Sequence, residues 1–376
     1  MNFTDYFKSR QEEMVNLLKE IVIRESPSTD KKAVDTCSSF VIKEFKKIGT
    51  KITRFPQKKT GDLYLAEYPS EFRSKGKEQL LVLTHIDTVW PVGKIKDMPF
   101  LIKKSKVFGP GVLDMKIGLV MAMFSLKCLM EMKIQPRRRI AVFINSAEEI
   151  GSHSSHQTIQ KLAKKSAYVL CLEPALPGGA LKIQRKGRLV IRLEAKGKAA
   201  HAGTPEKGTN AVEELMMQLR QLRKIKTKGI TFNIGLIGGG EKANIVAERA
   251  WAVLDIRFWN NSQKEKIINF LKQLSPQLSG AQISFSTESL TPPMEKTKAS
   301  TDFFGKVKKI AESLEMTLEA GKAGGGSDAS IASGMGIPTL DGLGPDGDGI
   351  HAENEHLILS SLPEKTALLT EIISQF

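Results

Sequence analysis

The chain has 376 residues, of which 41% are hydrophobic and 26% charged, a composition that excludes a wholly disordered protein. Because a single hydrophobic core usually stops growing near roughly 250–300 residues, we expect two domains. No apolar run approaches the roughly 20 residues of a bilayer span, which argues against an integral membrane protein. The N-terminal stretch lacks a secretory apolar region and the three cysteines are scattered, so we expect a cytoplasmic protein without a disulfide framework.

The charge balance is strongly basic, since lysine and arginine total 56 against 41 acidic residues, a net charge of +15. Such an excess can attract nucleic acid or an anionic membrane. The lysines are dispersed in short clusters, however, and only 6% of residues are aromatic, which leaves few rings for base stacking. We therefore interpret the charge as a solvated basic surface with a weak preference for anionic ligands, and expect neither nucleic acid nor membrane as a partner.

The N-terminal half of the chain shows alternating helical and strand-like patterns. Apolar residues at three- and four-residue steps predict a helix over 6–23, and a second helix ends near Gly49. A further helix is predicted over 118–130. Strand-like apolar runs lie at 63–68, 79–87, 140–149 and 167–174. The almost continuous apolar run at 79–87 is typical of a sheet covered on both faces, so this half predicts an α/β domain with a mostly parallel sheet.

The pattern changes near residue 180, where a different sequence of elements begins. The predicted elements are a strand within 181–197, a helix over 210–222, two strands, a helix over 264–274 and a last strand. This order is a β-α-β-β-α-β unit. We therefore predict a catalytic domain made of residues 1–178 and 296–376, interrupted by an inserted α+β lid or dimerisation domain at 179–295.

Side chains of the metal-binding type follow the apolar strands of the α/β domain. In open α/β sheets, ligand sites lie just outside the carboxyl ends of the strands. Imidazole and carboxylate groups suit zinc, and a pair of adjacent ions needs a bridging carboxylate with several further ligands. Any one such residue could merely end a strand, because loops collect polar residues. The residues at these positions are His85, Asp87, Asp114, Glu148, Glu149 and Glu173, with His351 near the C-terminus.

Taken together and in order, the segments around these residues resemble the di-zinc exopeptidases, a family that includes glutamate carboxypeptidase, aminoacylase, acetylornithine deacetylase and succinyl-diaminopimelate desuccinylase. The matching segments are THIDTVWPVG (84–93), FGPGVLDMKIG (108–118), NSAEEIGSHSS (145–155), CLEP (171–174), GKAAHAGTPEKGTNA (197–211), NIVAERAWAVLDIR (244–257), GGGSDAS (324–330) and GIHAENE (349–355). They extend over essentially the whole chain and look most like glutamate carboxypeptidase. The family has the same two-domain division that the patterning predicts.

The resemblance implies a centre of two Zn²⁺ ions, with Co²⁺ or Mn²⁺ as substitutes. Asp114 is implied as the carboxylate that bridges both ions. His85 and Glu173 would complete one site, and Glu149 and His351 the other. The family also has a cis peptide bond after the bridging aspartate, which is expected here between residues 114 and 115.

The resemblance assigns two further acids to catalysis. Glu148 is implied as the general base that takes a proton from the attacking water and passes it to the leaving nitrogen. Asp87 is implied as the acid that orients the ligand His85 and fixes its tautomer.

Four residues of the inserted segment and the loop after it are implied in substrate binding. His201 resembles the lid histidine that reaches the substrate oxyanion from the neighbouring subunit, so a homodimer is expected. Asn244 and Arg257 resemble residues that hold the substrate carboxylate, for which the planar arginine fork suits bidentate contact. Gly325 lies in a glycine loop that lets substrate approach the backbone closely.

The reaction that the resemblance implies is hydrolysis of an amide bond in a small peptide or N-acyl amino acid, and we expect a carboxypeptidase that releases a C-terminal amino acid. One departure keeps a deacylase, desuccinylase or deacetylase of amino-acid metabolism open as an alternative. Glutamate carboxypeptidase has an arginine in the loop before the lid ends, whereas the corresponding segment TESLTPPM (287–294) has none. A non-catalytic dimeric binding protein is the third alternative, although the full set of ligands and base argues for an enzyme.

Overall fold

The computed structural model describes residues 2–69, 79–225 and 228–376. The chain divides into two compact units. The larger unit comprises residues 1–183, 296–322 and 327–376, and the smaller unit comprises residues 184–295 and 323–326. Among the described residues, no helix combines the length and the apolar composition that crossing a membrane requires.

The helices and strands are numbered in chain order. The helices are α1 (Phe3–Ser9), α2 (Gln11–Val22), α3 (Lys31–Lys47), α4 (Ile117–Glu131), α5 (His156–Lys164), α6 (Ala211–Leu222), α7 (Asn261–Lys272), α8 (Lys298–Ser313), α9 (Asp328–Ser333) and α10 (Ser361–Gln375). The strands are β1 (Lys51–Phe55), β2 (Leu63–Glu67), β3 (Gln79–His85), β4 (Leu101–Lys103), β5 (Lys106–Phe108), β6 (Arg139–Asn145), β7 (Ser166–Cys171), β8 (Leu181–Arg185), β9 (Gly187–Lys196), β10 (Thr231–Gly239), β11 (Arg249–Phe258), β12 (Gln282–Thr291), β13 (Ala320–Ala323), β14 (Thr339–Leu340), β15 (Gly347–Asp348) and β16 (His356–Ile358).

The larger unit is built around a six-stranded sheet of order β1-β2-β6-β3-β7-β14. Strands β6, β3, β7 and β14 run parallel, while β1 and β2 are added antiparallel at one edge. Every residue of β3 is buried, as its continuous apolar run predicts. Helix α4 is buried around almost its whole circumference, which explains why it is apolar on every side. The predicted α/β class with a mostly parallel sheet is confirmed, since four of the six strands are parallel.

A second, antiparallel sheet of the larger unit has the order β15-β16-β5-β4. In it, His356 of β16 pairs with Phe108 of β5. The residues just after β5 and just before β16 therefore lie side by side, although nearly 250 residues separate them in sequence. This pairing brings the loop that carries His351 next to the turn that carries Asp114.

The smaller unit is a four-stranded antiparallel sheet of order β10-β11-β9-β12, with α6 and α7 in its β-α-β-β-α-β chain order. Alternate residues of β11 are buried, from Ala250 to Phe258, as expected for a sheet with one covered face. They pack with Leu215 of α6 and Ile267 of α7 in a hydrophobic core of their own. The predicted α+β insertion is confirmed.

Two predicted elements differ in detail from the structure. The helix predicted over 6–23 is two helices, because Arg10 leaves the helical conformation with φ −112° and ψ 10°. The strand-like segment over 181–197 is likewise two strands, interrupted at Lys186, whose backbone N–H donates to the carbonyl of Ala323 instead. In both cases the apolar periodicity continues across the break, so patterning alone does not show it.

Candidate metal centre

The carboxyl ends of three parallel strands meet at one edge of the large sheet. His85 is the last residue of β3 and is in register with Asn145, the last residue of β6. Leu83 of β3 is in register with Cys171, the last residue of β7. The residues that follow β6 and β7 therefore leave the sheet beside His85. This edge is where open α/β sheets bind their ligands.

A turn before α4 brings Asp114 to the same edge. Gly111 begins this turn with φ +72°, and a Cβ atom there would lie 2.6 Å from the side chain of Thr88. Both the backbone conformation and the close approach require glycine. The expected cis peptide bond between Asp114 and Met115 is present. Asp114 is 8% exposed.

The two histidines contact different oxygens of the same carboxylate. The Nε2 atom of His85 lies 3.3 Å from Oδ1 of Asp114 and 3.5 Å from Oε1 of Glu173. The Nε2 atom of His351 lies 3.4 Å from Oδ2 of Asp114 and 3.0 Å from Oε2 of Glu149. The five residues thus form two groups of three that share Asp114, which is the arrangement that a pair of bridged ions requires.

Glu148 lies at the edge of this cluster. One ligand-type atom each from His85, Glu148 and Glu173 lie within 4.8 Å of one another, as do such atoms from His85, Asp114 and Glu149. The carboxylate of Glu148 is therefore close enough to share a water molecule or a substrate group with the other residues of the cluster.

Three acidic side chains and one histidine of the cluster have shifted pKa values. Burial raises the pKa of Glu148 well above its usual range, and the neighbouring carboxylate of Glu173 adds to the rise. Burial also raises the pKa of Glu149 to about 6. Burial would raise the pKa of Asp114 as well, but hydrogen bonds with the two histidines lower it. Hydrogen bonds to Asp114 and Glu149 raise the pKa of His351 to about 10.

The raised pKa values of Glu148 and Glu149 are those of buried carboxylates that have other carboxylates as neighbours. In addition, the buried Oε1 atom of Glu149 has no hydrogen-bond partner among the described residues. A buried polar atom is normally satisfied by a partner, and a divalent cation would supply both the partner and the charge. The nitrogen and oxygen donors fit Zn²⁺, Co²⁺ or Mn²⁺.

Asp87 is fully buried behind the cluster. Its backbone carbonyl lies 3.0 Å from Nδ1 of His85, and its carboxylate Oδ1 lies 3.5 Å from the same nitrogen. The carboxylate also accepts hydrogen bonds from the backbone N–H groups of Glu148 and Glu149, at 3.1 and 3.2 Å, and from the hydroxyl of Ser28 at 2.6 Å. Asp87 therefore connects the carboxyl end of β3 to the loop that carries Glu148 and Glu149. Its expected role in orienting His85 stays a prediction.

Sequence analysis did not single out Glu355, the last residue of the GIHAENE segment. Its side chain is fully buried, and burial raises its pKa. One carboxylate oxygen accepts hydrogen bonds from the backbone N–H groups of Leu113 and Asp114, at 2.9 and 3.1 Å. The other accepts from the backbone N–H of Gly111 at 3.0 Å and from Nε1 of Trp90 at 3.1 Å. Glu355 thus holds the turn that presents Asp114.

Asp328, within the GGGSDAS segment, is a second buried acid that sequence analysis missed. It accepts hydrogen bonds from Nδ2 of Asn145 at 2.7 Å and from the hydroxyl of Ser152 at 2.5 Å. These two donors stand at either end of the loop that carries Glu148 and Glu149. Burial raises the pKa of Asp328 to about 6. Its only signal in the sequence was its place in a matching segment.

The four predicted substrate-binding residues all lie in the smaller unit. The segments of His201 and Asn244 are adjacent, since the N–H of Ala202 donates to the carbonyl of Asn244 at 3.0 Å. Arg257 lies near the far end of β11, eight residues beyond its first residue, which is roughly 26 Å along a strand. The structure therefore brings His201 and Asn244 together but separates Arg257 from them.

Arg257 and Gly325 each have a partner within the smaller unit. The guanidinium of Arg257 makes two hydrogen bonds to the carboxylate of Asp255, at 2.6 and 3.1 Å. The carbonyl of Gly325 accepts a hydrogen bond from Nη1 of Arg185 at 3.1 Å, as does that of Gly326. Arg185 was not among the predicted residues, and it is the side chain that holds the glycine loop.

Comparison with known proteins identifies the family. The family described as Peptidase family M20/M25/M40 matches residues 81–375. The chain belongs to this family. It is therefore a metal-dependent hydrolase, and the resemblance seen in its motifs is confirmed.

Members of the M20/M25/M40 family that are similar to this chain differ in activity. Carboxypeptidase G2 from Pseudomonas sp. (strain RS-16) is 28% identical over 377 residues, which covers 96% of this chain and 89% of that protein. Succinyl-diaminopimelate desuccinylase from Aliarcobacter butzleri (strain RM4018) is 25% identical and covers 80% of this chain and 84% of that protein. The solved structure of aminopeptidase PepT from Bacillus cereus ATCC 10987 has a TM-score of 0.78 at 22% identity, covering 97% and 98% of the two chains, and supports the fold.

Proposed function

We propose that this chain is a di-zinc exopeptidase of the carboxypeptidase type, which hydrolyses an amide bond and releases an amino acid with a free carboxylate. The observation that carries the proposal is the contact of two imidazoles with the two oxygens of one buried carboxylate, Asp114. His85 and Glu173 would hold one ion, and His351 and Glu149 the other. The similarity to carboxypeptidase G2 over 96% of the chain supports the carboxypeptidase reaction.

The two ions would supply Lewis acidity toward the substrate carbonyl and lower the pKa of a water molecule. The side chain of Glu148 would accept a proton from the attacking water at a carboxylate oxygen and deliver it to the leaving nitrogen. Asp87 would keep Glu148 in place through its backbone N–H. In the smaller unit, we propose His201 as the donor to the oxyanion and Asn244, Arg257 and Gly325 as contacts of the substrate.

An N-acyl-amino-acid deacylase or desuccinylase is the alternative. It is favoured by the similarity to succinyl-diaminopimelate desuccinylase over 80% of the chain and by the lack of an arginine in residues 287–294. Both reactions use the same metal centre, so the substrate must decide between them. A panel of dipeptides and N-acyl amino acids, including ones with C-terminal glutamate, would be incubated with the metal-loaded protein, and the released amine measured. Hydrolysis of the dipeptides would support the carboxypeptidase, whereas turnover of acetyl or succinyl amino acids alone would support the alternative.

Glu148→Gln tests the general base. The amide cannot accept the proton, so we expect turnover to fall at least about 100-fold while both ions remain bound. The neighbouring Glu149→Gln is the matched control, because it should reduce the metal content measured by mass spectrometry. Full activity in Glu148→Gln, or loss of metal from it, would exclude this residue as the base.

We also propose that the protein forms a homodimer through the smaller unit. Strand β10 is at the edge of its sheet, and its Leu236 and Ile237 side chains are 60% and 59% exposed. Such an apolar edge strand can pair with a second copy. Leu236→Lys should lower the mass measured by light scattering from two chains to one.

If His201 acts across the dimer, mixing His201→Ala chains with Glu148→Gln chains should restore part of the activity. Heterodimers that form but show no recovery of activity would place the whole site in one chain.

We propose a cytoplasmic location from the state of the cysteines. All three are buried and none of them forms a disulfide bond, which is typical of proteins from reducing compartments. Cell fractionation with detection of the native protein tests this location, and recovery in the medium or membrane fraction would contradict it.

A further inference from the structure

A second cleft of the larger unit lies at the amino ends of β6 and β7, with a volume of about 600 Å³. The metal centre is at the carboxyl ends of the same strands. The six residue steps from Arg139 to Asn145 along β6 place the two sites roughly 20 Å apart. The cleft is therefore separate from the catalytic residues, and none of the functions assigned above uses it.

Four cationic side chains line this cleft. Arg137 and Arg138 immediately precede β6, and Lys306 and Lys309 lie three residues apart on one face of α8. Within residues 2–69, 79–225 and 228–376, none of the four makes an ion pair with a carboxylate. Lys308, on the same helix, does have such a partner. Each of the four is therefore without a carboxylate at ion-pair distance among the described residues.

Aromatic rings form the apolar part of the same cleft. The guanidinium of Arg138 lies 5.2 Å from the ring centre of Tyr168, and Nζ of Lys306 lies 5.9 Å from that of Phe376. The two rings pack edge to face with their centres 4.9 Å apart. Arg138 is partly buried, so its charge is less screened by water than the charge of a cation on an open surface.

Four like charges gathered in one cleft repel one another and destabilise the folded chain, unless an anion offsets them. Arginine presents a planar fork of N–H donors that matches phosphate oxygens, and lysine acts as a compact point charge beside it. One phosphate group would occupy only part of a cleft of this volume, which is within the usual range for small-molecule sites. A ligand with several linked anionic groups fits both the volume and the charge.

We propose that this cleft binds a chain of linked phosphate groups, carried either by a nucleoside triphosphate or by inorganic polyphosphate. Arg137 and Arg138 contact the phosphates from one side, and Lys306 and Lys309 from the other. The ring of Tyr168 contacts Phe303, Phe376 and the guanidinium of Arg138, so it forms part of the wall of the cleft. This proposal is independent of the reaction that the metal centre catalyses.

Isothermal titration of the metal-loaded full chain tests the proposal, with sodium tripolyphosphate, ATP and inorganic phosphate as the probes. Lys306→Glu/Lys309→Glu should weaken tripolyphosphate binding at least tenfold. The matched control is Lys43→Glu/Lys46→Glu, which makes the same charge change at two exposed lysines with the same spacing on α3. The control should alter the affinity less than twofold, and inorganic phosphate should bind the unaltered chain at least tenfold more weakly than tripolyphosphate.

Three results would overturn the proposal. Equal weakening in both double variants would assign the binding to the net positive charge of the whole chain. Unchanged binding in Lys306→Glu/Lys309→Glu would assign it to the metal centre, because phosphates also coordinate metal ions. The third is the absence of measurable tripolyphosphate binding to the unaltered chain. Circular dichroism verifies that both double variants, which change exposed residues, are folded. Comparison of the two probes on the unaltered chain distinguishes the two sources, since tighter binding of ATP than of tripolyphosphate identifies a nucleotide site, and an equal or weaker affinity for ATP identifies the phosphate chain alone.

Discussion

Replacing Glu355 by glutamine tests whether this buried acid holds the turn of the bridging carboxylate. Each carboxylate oxygen of Glu355 accepts two N–H groups, and all four donors are within 3.1 Å. Glutamine keeps one oxygen but places an NH₂ group where the other was. Whichever way the amide is oriented, two N–H groups lose their acceptor and face a donor. A buried unsatisfied group costs about 1–3 kcal/mol, so the two together cost about 2–6 kcal/mol.

Part of this cost is offset, because the neutral amide removes a charge that burial disfavours, as the raised pKa of Glu355 shows. We therefore expect a net loss of at least about 1 kcal/mol in the free energy of unfolding, measured by urea denaturation of the metal-free protein. We also expect metal affinity to fall by about 10–100-fold, since the N–H of Asp114 is one of the four donors and its carboxylate would shift.

Glu353→Gln is the matched control, two residues away. Its side chain is 79% exposed and forms an ion pair with Lys94. Exposed ion pairs contribute about 0–1 kcal/mol, and this one does not touch the Asp114 turn. If Glu355→Gln and Glu353→Gln gave the same stability and the same zinc affinity, the reasoning about the turn would be refuted.

Three further predictions concern stability, and urea denaturation checks each. The carboxylate of Asp62 is buried, yet hydrogen bonds from Lys31, a backbone N–H and Arg54 lower its pKa from 3.8 to about 2. A lowered carboxyl pKa stabilises the fold above pH 3.8, and this contribution is lost as the pH falls through about 2. Because solvent screens the exposed partners, we reduce the expected contribution to about 1–2 kcal/mol of the free energy of unfolding. Asp62→Asn should therefore be less stable than the unaltered chain at pH 6 by that amount, and the difference should shrink between pH 4 and pH 2; a difference independent of pH would contradict the assignment. Gly61→Ala should cost about 1–3 kcal/mol, because the added Cβ atom would collide with the side chain of Val34. Gly305→Ala, in open space within α8, should instead stabilise the protein by about 0.5–1 kcal/mol, and a loss there would contradict the helix assignment.

The sequence predicts the parts of the fold whose apolar pattern is long and regular. Strand β3 is buried on both faces and α4 on all sides, so both segments have apolar residues that mark their type and extent. Strand β1 (KITRF) is partly exposed and contains two basic residues, and β14, β15 and β16 have only two or three residues each. Such short or polar strands form because neighbouring strands pair with them, which no local pattern shows.

The residues of the candidate site likewise differ in how far the sequence predicts them. Residues that end apolar strands, such as His85 and Glu173, are visible as polar groups at expected positions. The contacts of Glu355 with the Asp114 turn join residues more than 240 positions apart, and those of Asp328 with Asn145 join residues 183 positions apart. Their function as hydrogen-bond acceptors depends on tertiary pairing, so a sequence pattern indicates only that the acids are present.

The number of metal ions per chain tests the central claim most directly. Equilibrium dialysis of the purified, metal-depleted protein against Zn²⁺, followed by elemental analysis, should give two ions for the unaltered chain. His351→Ala, which removes one imidazole from Asp114, should retain one ion with high affinity. One ion or none in the unaltered chain, or two ions still bound with unchanged affinity in His351→Ala, would contradict a centre bridged by Asp114.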